Sequence, residues 1–245
     1  MADASQSPHL SVVIPVYNEA KGIAESMRRV EAYMNLRKYS WELLVVSDGS
    51  TDETDKRVRE FIASRPNALV RLLSAERNHG KGFAARRGVL EARGGYILLT
   101  DADLSSPIKE VDKLIRALEG GADMAIASRV VREEGADVRQ CFKRWLSGRI
   151  FNYFVRLFVI RGIKDTQCGF KCFKSKPAHA LFGEQKLEGF AFDVEILYLA
   201  KRHGYAIKEV SVMWRQGPDS RVSLLKDSLL MLGDLFKIRR LHSLQ

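Results

Sequence analysis

Leu10-Ser11-Val12-Val13-Ile14-Pro15-Val16 runs directly into Tyr17-Asn18-Glu19. A short β-branched apolar run that stops on a polar turn reads as a buried strand. The downstream segments extend this into an architecture. From about Lys21 to Lys38, Ile23, Met27, Val30 and Met34 recur at helical spacing. Trp41–Val46 is a second strand, closed by Ser47-Asp48-Gly49-Ser50. Thr51 or Asp52 caps a helix that runs to about Ser64, ahead of Pro66. Leu69–Leu73 is a third strand, and Lys81–Ala92 a helix after the turn Asn78-His79-Gly80. Tyr96–Thr100 is a fourth strand, ending on Asp101-Ala102-Asp103. Pro107 opens another helix at its favoured first position, and Ala122–Ala127 is a further strand. Strand and helix alternating in this way predict a mostly parallel, doubly wound α/β sheet with helices on both faces.

Such sheets bind ligands at the carboxyl ends of their strands. The polar clusters Tyr17-Asn18-Glu19, Ser47-Asp48-Gly49-Ser50 and Asp101-Ala102-Asp103 all fall there. Helix capping explains one such cluster well and three poorly. Two carboxylates at i and i+2 after an apolar strand can share a hard cation, Mg²⁺ or Mn²⁺, completed by diphosphate oxygens and water. The competing reading is an ordinary surface turn.

The 245 residues carry 40 Lys+Arg against 30 Asp+Glu, a formal charge of +10. An apolar share of 46% excludes a disordered chain. The positive balance fits nucleic acid, an anionic membrane surface or phosphorylated ligands. The basic residues are dispersed and no nucleic-acid motif is present, so nucleic acid is not expected. Three cysteines (Cys141, Cys168, Cys172) fit a reducing compartment better than a disulfide framework. Cys168 and Cys172 lack His partners at zinc spacing and read as buried thiols. The first ten residues hold no signal-peptide core. The longest apolar stretch, from Ile150 to Ile160, is interrupted by Arg156 and too short to span a bilayer.

Together these segments resemble the family-2 glycosyltransferases of GT-A fold. The resemblance is carried by VVIPVYNE (Val12–Glu19), VVSDGSTDET (Val45–Thr54), RNHGKGFAARRG (Arg77–Gly88) and the aspartate pair. GIKDTQCGFKCF (Gly162–Phe173) and GFAFDVEILYLAKR (Gly189–Arg202) look like the polyprenyl-phosphate branch, the dolichyl-phosphate β-glucosyltransferases and their bacterial relatives. The resemblance implies that Pro15, Tyr17 and Glu19 surround the nucleoside and that Asp48 contacts the base. It implies that Asp101, Ala102 and Asp103 form the diphosphate- and metal-binding turn, with Asp101 and Asp103 as ligands. Lys81 would help the donor side. Ser128-Arg129 and Ser220-Arg221 match elements near the donor phosphates. Asp103, Arg129 and Arg132 are the catalytic candidates. Ser47 replaces the first aspartate that many relatives carry, and Ser105 replaces a glutamine of mannosyl-transferring relatives.

The implied reaction is inverting transfer of glucose from UDP-glucose to a polyprenyl phosphate. A GDP-mannose donor and a sugar acceptor are the alternatives. The acceptor phosphate is anionic at neutral pH, so positioning and charge masking matter more than a strong base. Arg132, Lys143, Arg144 and Arg149 also read as solvated helix charges. Asp193 reads first as a helix cap. Arg149, Asn152 and Arg156 share one helical stripe, with aromatic and aliphatic residues over the remaining arc. That suits a helix lying in a membrane interface. Residues 223–245 form a second amphipathic helix, for which core packing is an equal alternative. The expected organisation is a disordered 1–9, a catalytic domain over 10–222 and the tail. A peripheral position on the cytoplasmic membrane face is expected.

Overall fold

The structure is a computed structural model that describes residues 7–65, 69–131, 138–139, 153, 155, 159–215 and 226–243; the side chains of 138–139 and 226–232 are not described. The strands are β1 (Leu10–Val16), β2 (Trp41–Ser47), β3 (Val70–Ser74), β4 (Tyr96–Leu99), β5 (Met124–Ser128), β6 (Val138–Arg139), β7 (Lys171–Lys174), β8 (Ile207–Ser211) and β9 (Trp214–Arg215). The helices are α1 (Ile23–Met34), α2 (Thr54–Ala63), α3 (Lys81–Glu91), α4 (Val111–Glu119), α5 (Ser175–Glu184), α6 (Phe192–Arg202) and α7 (Lys226–Leu241). A seven-stranded sheet has the order β3-β2-β1-β4-β7-β5-β8, and β6 pairs with β9 in a second, small sheet.

Every ladder of the large sheet is parallel except those of β7, which runs antiparallel between β4 and β5. Both faces are covered, which is why the strands read as unbroken apolar runs. Val13, Leu44, Val46, Ile97 and Ile126 belong to one core, with residues of α3, α5, α6 and α7. Val12, Ile14, Leu43, Val45 and Leu98 belong to the other, with residues of α1, α2 and α4. The alternation of neighbours between the two cores is the period of two of a strand.

Two helix starts differ from the sequence reading. α2 begins at Thr54 with Glu53 at the cap position, and the Asp52 carboxylate accepts the Thr54 amide from outside the helix. Pro107 precedes a short 3₁₀ turn, Ile108–Glu110, as its flanking residue rather than as a first helical residue. Its ψ of 139° keeps it extended, so the backbone enters the turn only at Ile108. Among the described residues, no helix is long and apolar enough to cross a membrane.

Candidate active site

The chain leaves β1 toward β2 and β3 on one side, and returns to β4 on the other. The crevice of an open α/β sheet lies at this reversal, outside the carboxyl ends of β1 and β4. The β1–β4 register ends at Val13↔Leu99, and the Thr100 amide donates to the Val13 carbonyl at 3.0 Å. Pro15, two residues on, faces the same side, where the ladder has already stopped. Its missing N–H therefore costs no sheet hydrogen bond, and a proline is tolerated in a central strand.

Asn18 follows in the left-handed region at φ 54°, a conformation asparagine accepts more readily than most residues. Its Oδ1 accepts the Thr51 amide at 2.7 Å, tying the first polar turn to the second. Glu19 donates its amide to Thr54 Oγ1 at 2.7 Å, and the Tyr17 side chain is exposed. Asp48 is buried. Its Oδ1 accepts the His79 amide at 3.0 Å and its Oδ2 the Gly80 amide at 2.7 Å. The carboxylate thus anchors the turn that carries Lys81.

Asp101 and Asp103 lie just past β4. The Leu104 amide donates to the Asp101 carbonyl at 3.1 Å, and Leu104 itself has φ 47° with a buried side chain. A leucine in this region is strained, and the surrounding contacts hold it there. The Asp103 carboxylate accepts the Ser105 amide at 2.9 Å and the Ser105 hydroxyl at 2.7 Å. Lys81 Nζ reaches Asp101 Oδ1 at 2.5 Å. Burial alone would raise the Asp101 pKa, but Lys81, Lys171 and Arg129 together hold it below the usual carboxylate range. Burial would lower that of Lys81, and Asp101, Asp193 and Asp103 raise it instead, so the ammonium stays charged.

The antiparallel strand β7 supplies what the parallel strands cannot. Because it runs backwards, the segment leading into it arrives at the carboxyl edge of its neighbours. Lys171 stands opposite Leu99 and Ile126, and Asp165, Cys168 and Gly169 come in just before it. Asp165 Oδ2 accepts Arg129 Nε at 2.7 Å and the Arg129 amide at 2.9 Å, while Oδ1 accepts Nη2 at 2.8 Å. This bidentate fork fixes the guanidinium plane and leaves Nη1 outside the pair. Burial alone would raise the Asp165 carboxyl, and Arg129 holds it below its ordinary value. Glu209 accepts the Asp165 and Lys164 amides, each at 2.9 Å. Lys171, almost wholly buried, donates to Asp193 Oδ1 at 2.5 Å and to the Cys168 carbonyl at 2.6 Å.

Lys81, Asp101, Arg129, Asp165, Lys171 and Asp193 thus form one alternating set of charges around the crevice. Asp165 and Lys171 both lie in the Gly162–Phe173 stretch that carries the resemblance, where neither was given a role at the site. Asp193 is not a cap: Ala191 holds the cap position, without a side-chain cap hydrogen bond, and Asp193 lies inside the first turn of α6. Arg132, Ser220 and Arg221, together with Cys141, Lys143, Arg144, Arg149, Asn152 and Arg156, lie outside the described residues. Of the stretch from Trp145 to Ile160, Val155, Val159 and Ile160 are buried in the core and Tyr153 is exposed. Burial raises the thiols of Cys168 and Cys172, the latter to about 12, so neither of these two is a thiolate at neutral pH.

Gly169 touches the Asp101 carboxylate. A Cβ at this position would stand 2.3 Å from Oδ2 and 2.7 Å from Cγ. Gly169→Ala therefore pushes Asp101 off Lys81. The expected result is an activity loss of about tenfold or more with little change in the melting temperature. Steady-state kinetics beside a thermal melt checks it. Unchanged kinetics would show that the Asp101–Lys81 geometry is not needed.

A divalent cation fits this donor set. Two aspartates with one residue between them are too few for a closed protein cage, and suit a hard cation that takes its remaining oxygens from diphosphate and water. Among the described residues no group of three or more His, Cys, Asp or Glu gathers to hold a metal.

The glycosyl transferase family 2 model matches residues 11–182. Dolichyl-phosphate β-glucosyltransferase of Dictyostelium discoideum is 35% identical over 94% of this chain and 74% of its own. The human and Saccharomyces cerevisiae proteins of that name are 35% and 36% identical, over 96% of this chain and 76% and 75% of theirs. Among solved structures, glucosyl-3-phosphoglycerate synthase from Mycobacterium tuberculosis with UDP aligns at TM-score 0.70 and 20% identity, covering 94% of this chain and 80% of that one. The same enzyme with Mn²⁺ and UDP-glucose aligns at TM-score 0.67 and 19% identity, over 97% and 80%. These likenesses establish a GT-A-like fold. The chain belongs to glycosyl transferase family 2, among relatives that are dolichyl-phosphate β-glucosyltransferases.

Proposed function

We propose that the protein transfers glucose from UDP-glucose to a polyprenyl phosphate with inversion at the anomeric carbon. The observation that carries this reading is the set of alternating charges at the switch point, in a chain that covers about three quarters of the length of relatives named dolichyl-phosphate β-glucosyltransferases. Pro15, Tyr17 and Glu19 border the nucleoside end. Asp101 and Asp103 would hold Mg²⁺ or Mn²⁺, with Ala102 between them. When bound, such a cation supplies positive charge to the departing nucleoside diphosphate.

The chain's own residues do the rest. Lys81 is held at the crevice by Asp101 and adds a second positive charge beside the diphosphate. Asp48 fixes the turn from which Lys81 projects. Asp165 holds Arg129 in one orientation, so that the remaining guanidinium edge meets phosphate oxygens without reorganising. Arg132 and Arg221 are further phosphate partners in this reading. The acceptor phosphate is already an anion at neutral pH, since its second pKa is about 6. No strong base is required, and the work is to bring two anions together in line. A single displacement of this kind turns an α-linked donor into a β-linked product.

A polyprenyl acceptor resides in a membrane, so the reading includes a peripheral contact there, on the cytoplasmic face. The exposed aromatic side chains of Tyr153 and Phe236 support such a contact. Leu235 and Ile238 are buried, so part of the tail's apolar surface serves the core instead.

Equilibrium competition tests the donor. UDP-glucose should displace a fluorescent uridine nucleotide in the presence of Mn²⁺, and GDP-mannose should not at the same concentration. The reverse preference would move the assignment to a mannosyl donor.

A further inference from the structure

Glu195 and His242 are wholly buried, and neither belongs to the crevice. Glu195 is on α6. Its Oε1 accepts the Lys186 amide at 3.0 Å and its Oε2 the Leu187 amide at 2.9 Å. His242, one residue beyond α7, places Nε2 at 2.7 Å from Glu195 Oε1. A carboxylate only accepts, so this nitrogen carries the proton and donates. Three donors therefore converge on one buried carboxylate, one of them from the C-terminal tail. The tail is tied a second time, by Lys186 Nζ on the Leu241 carbonyl at 2.7 Å, and a third time by Arg202 on the His242 carbonyl.

The loop that Glu195 holds is the seat of the Lys81 turn. The Glu188 carbonyl accepts the Phe83 amide at 3.1 Å. Gln185 Nε2 bridges the Gly82 carbonyl at 2.9 Å and the Leu187 carbonyl at 2.7 Å. Gly80 has φ 129°, and a Cβ there would stand 2.4 Å from the Glu188 oxygen, so at Gly80 turn and loop meet backbone to backbone. On its far side the same turn meets Asp48 through the Gly80 amide, and its Lys81 meets Asp101. A continuous series of hydrogen bonds thus runs from the last turn of the tail to the paired aspartates.

We infer that His242 is a positioning residue: through Glu195 and the 185–188 loop, the C-terminal tail sets the place of Lys81 at the donor diphosphate. The role at the donor rests on the function proposed above. The contact series itself does not, and the two are tested separately. His242→Leu removes the donor to Glu195. His242→Gln restores one, through its amide nitrogen. Lys186→Met, which removes only a contact of an exposed ammonium, serves if the leucine variant does not fold.

Amide hydrogen exchange of the full chain reads the series without reference to activity. His242→Leu should speed exchange about tenfold in the segment 79–83 as well as in 186–188, leaving β1 and β2 unchanged. In transfer assays it should raise the KM for UDP-glucose about tenfold and leave the acceptor KM within about twofold. His242→Gln should return both readouts toward the wild type. Faster exchange confined to 186–188 and the tail, or donor and acceptor KM moving together, would overturn the inference. So would a glutamine variant that behaves like the leucine one. A wild type without transfer activity would overturn the functional reading alone, and exchange at 79–83 would then decide the contact series by the same criteria.

Discussion

Lys171→Met destabilises the protein by about 3–5 kcal/mol. Methionine approximates the length and apolar stem of lysine, so packing around β7 is largely kept. What disappears is the ammonium that donates to Asp193 Oδ1 at 2.5 Å, in a setting where both side chains are buried. A carboxylate that has lost its hydrogen-bonded cation keeps its desolvation penalty and loses most of its compensation, with Lys81 a remaining cation that acts on it. The Cys168 carbonyl loses its 2.6 Å donor in the same step. For a chain of this size the melting temperature should fall by roughly 6–20 °C, measured by circular dichroism. Asp193→Asn in the same background should recover part of the loss, because the neutral amide is cheaper to bury. Additive losses would contradict the pairing. The field at Asp101 also weakens, since Lys171 is one of the cations that depress its pKa.

Arg129→Lys lowers turnover by about 10²–10³-fold while leaving the chain folded. Lysine keeps the charge but not the fork, so Asp165 can no longer fix the group that the proposed function sets against the phosphates. Arg129→Met removes the charge and weakens a pH dependence. In the wild type the folded Asp165 pKa lies below its unfolded value, because Arg129 outweighs burial. Its contribution to stability is fully present above the unfolded value, about 3.9, and is lost as the pH falls through the lower folded one. In the methionine variant the backbone amide of residue 129 and Lys171 still favour the carboxylate, but burial meets far less opposition, so the folded pKa rises and acid relieves more of the unpaired carboxylate. The stability gap between the two proteins should narrow as the pH falls from about 7 toward about 3. Denaturant melts across that range check it. A constant gap would show that Asp165 is not held by Arg129.

The strands and helices of the first half were legible because each buries a regular face. Ile23, Met27, Val30 and Met34 are all buried at the spacing that marked them, and β1 has the bounds its apolar run suggested. The aspartate turn was legible too, as polar residues breaking an apolar strand. β7 was harder. Lys171-Cys172-Phe173-Lys174 has no alternation that reveals an antiparallel strand between two parallel ones. Lys171 lay in the Gly162–Phe173 stretch that carries the resemblance but received no role of its own, since the partner that makes it buriable, Asp193, is 22 residues away in sequence and on another element. Asp165, in the same stretch, likewise received no role, because its meaning depends on Arg129, 36 residues earlier. Asp193 satisfied the composition rule for a helix start, yet the tertiary ion pair took it. Local patterns report faces and turns. They do not report which distant charge a buried side chain meets.

The decisive assay incubates radiolabelled UDP-glucose with a short-chain polyprenyl phosphate and Mn²⁺. Label should pass into the organic phase as a β-linked lipid phosphate sugar, only when acceptor and cation are both present, and not with Asp103→Ala protein of unchanged melting temperature. Label that stays in the aqueous phase with a folded wild type, or that reaches a sugar acceptor without any lipid, would contradict glucosyl transfer to a polyprenyl phosphate.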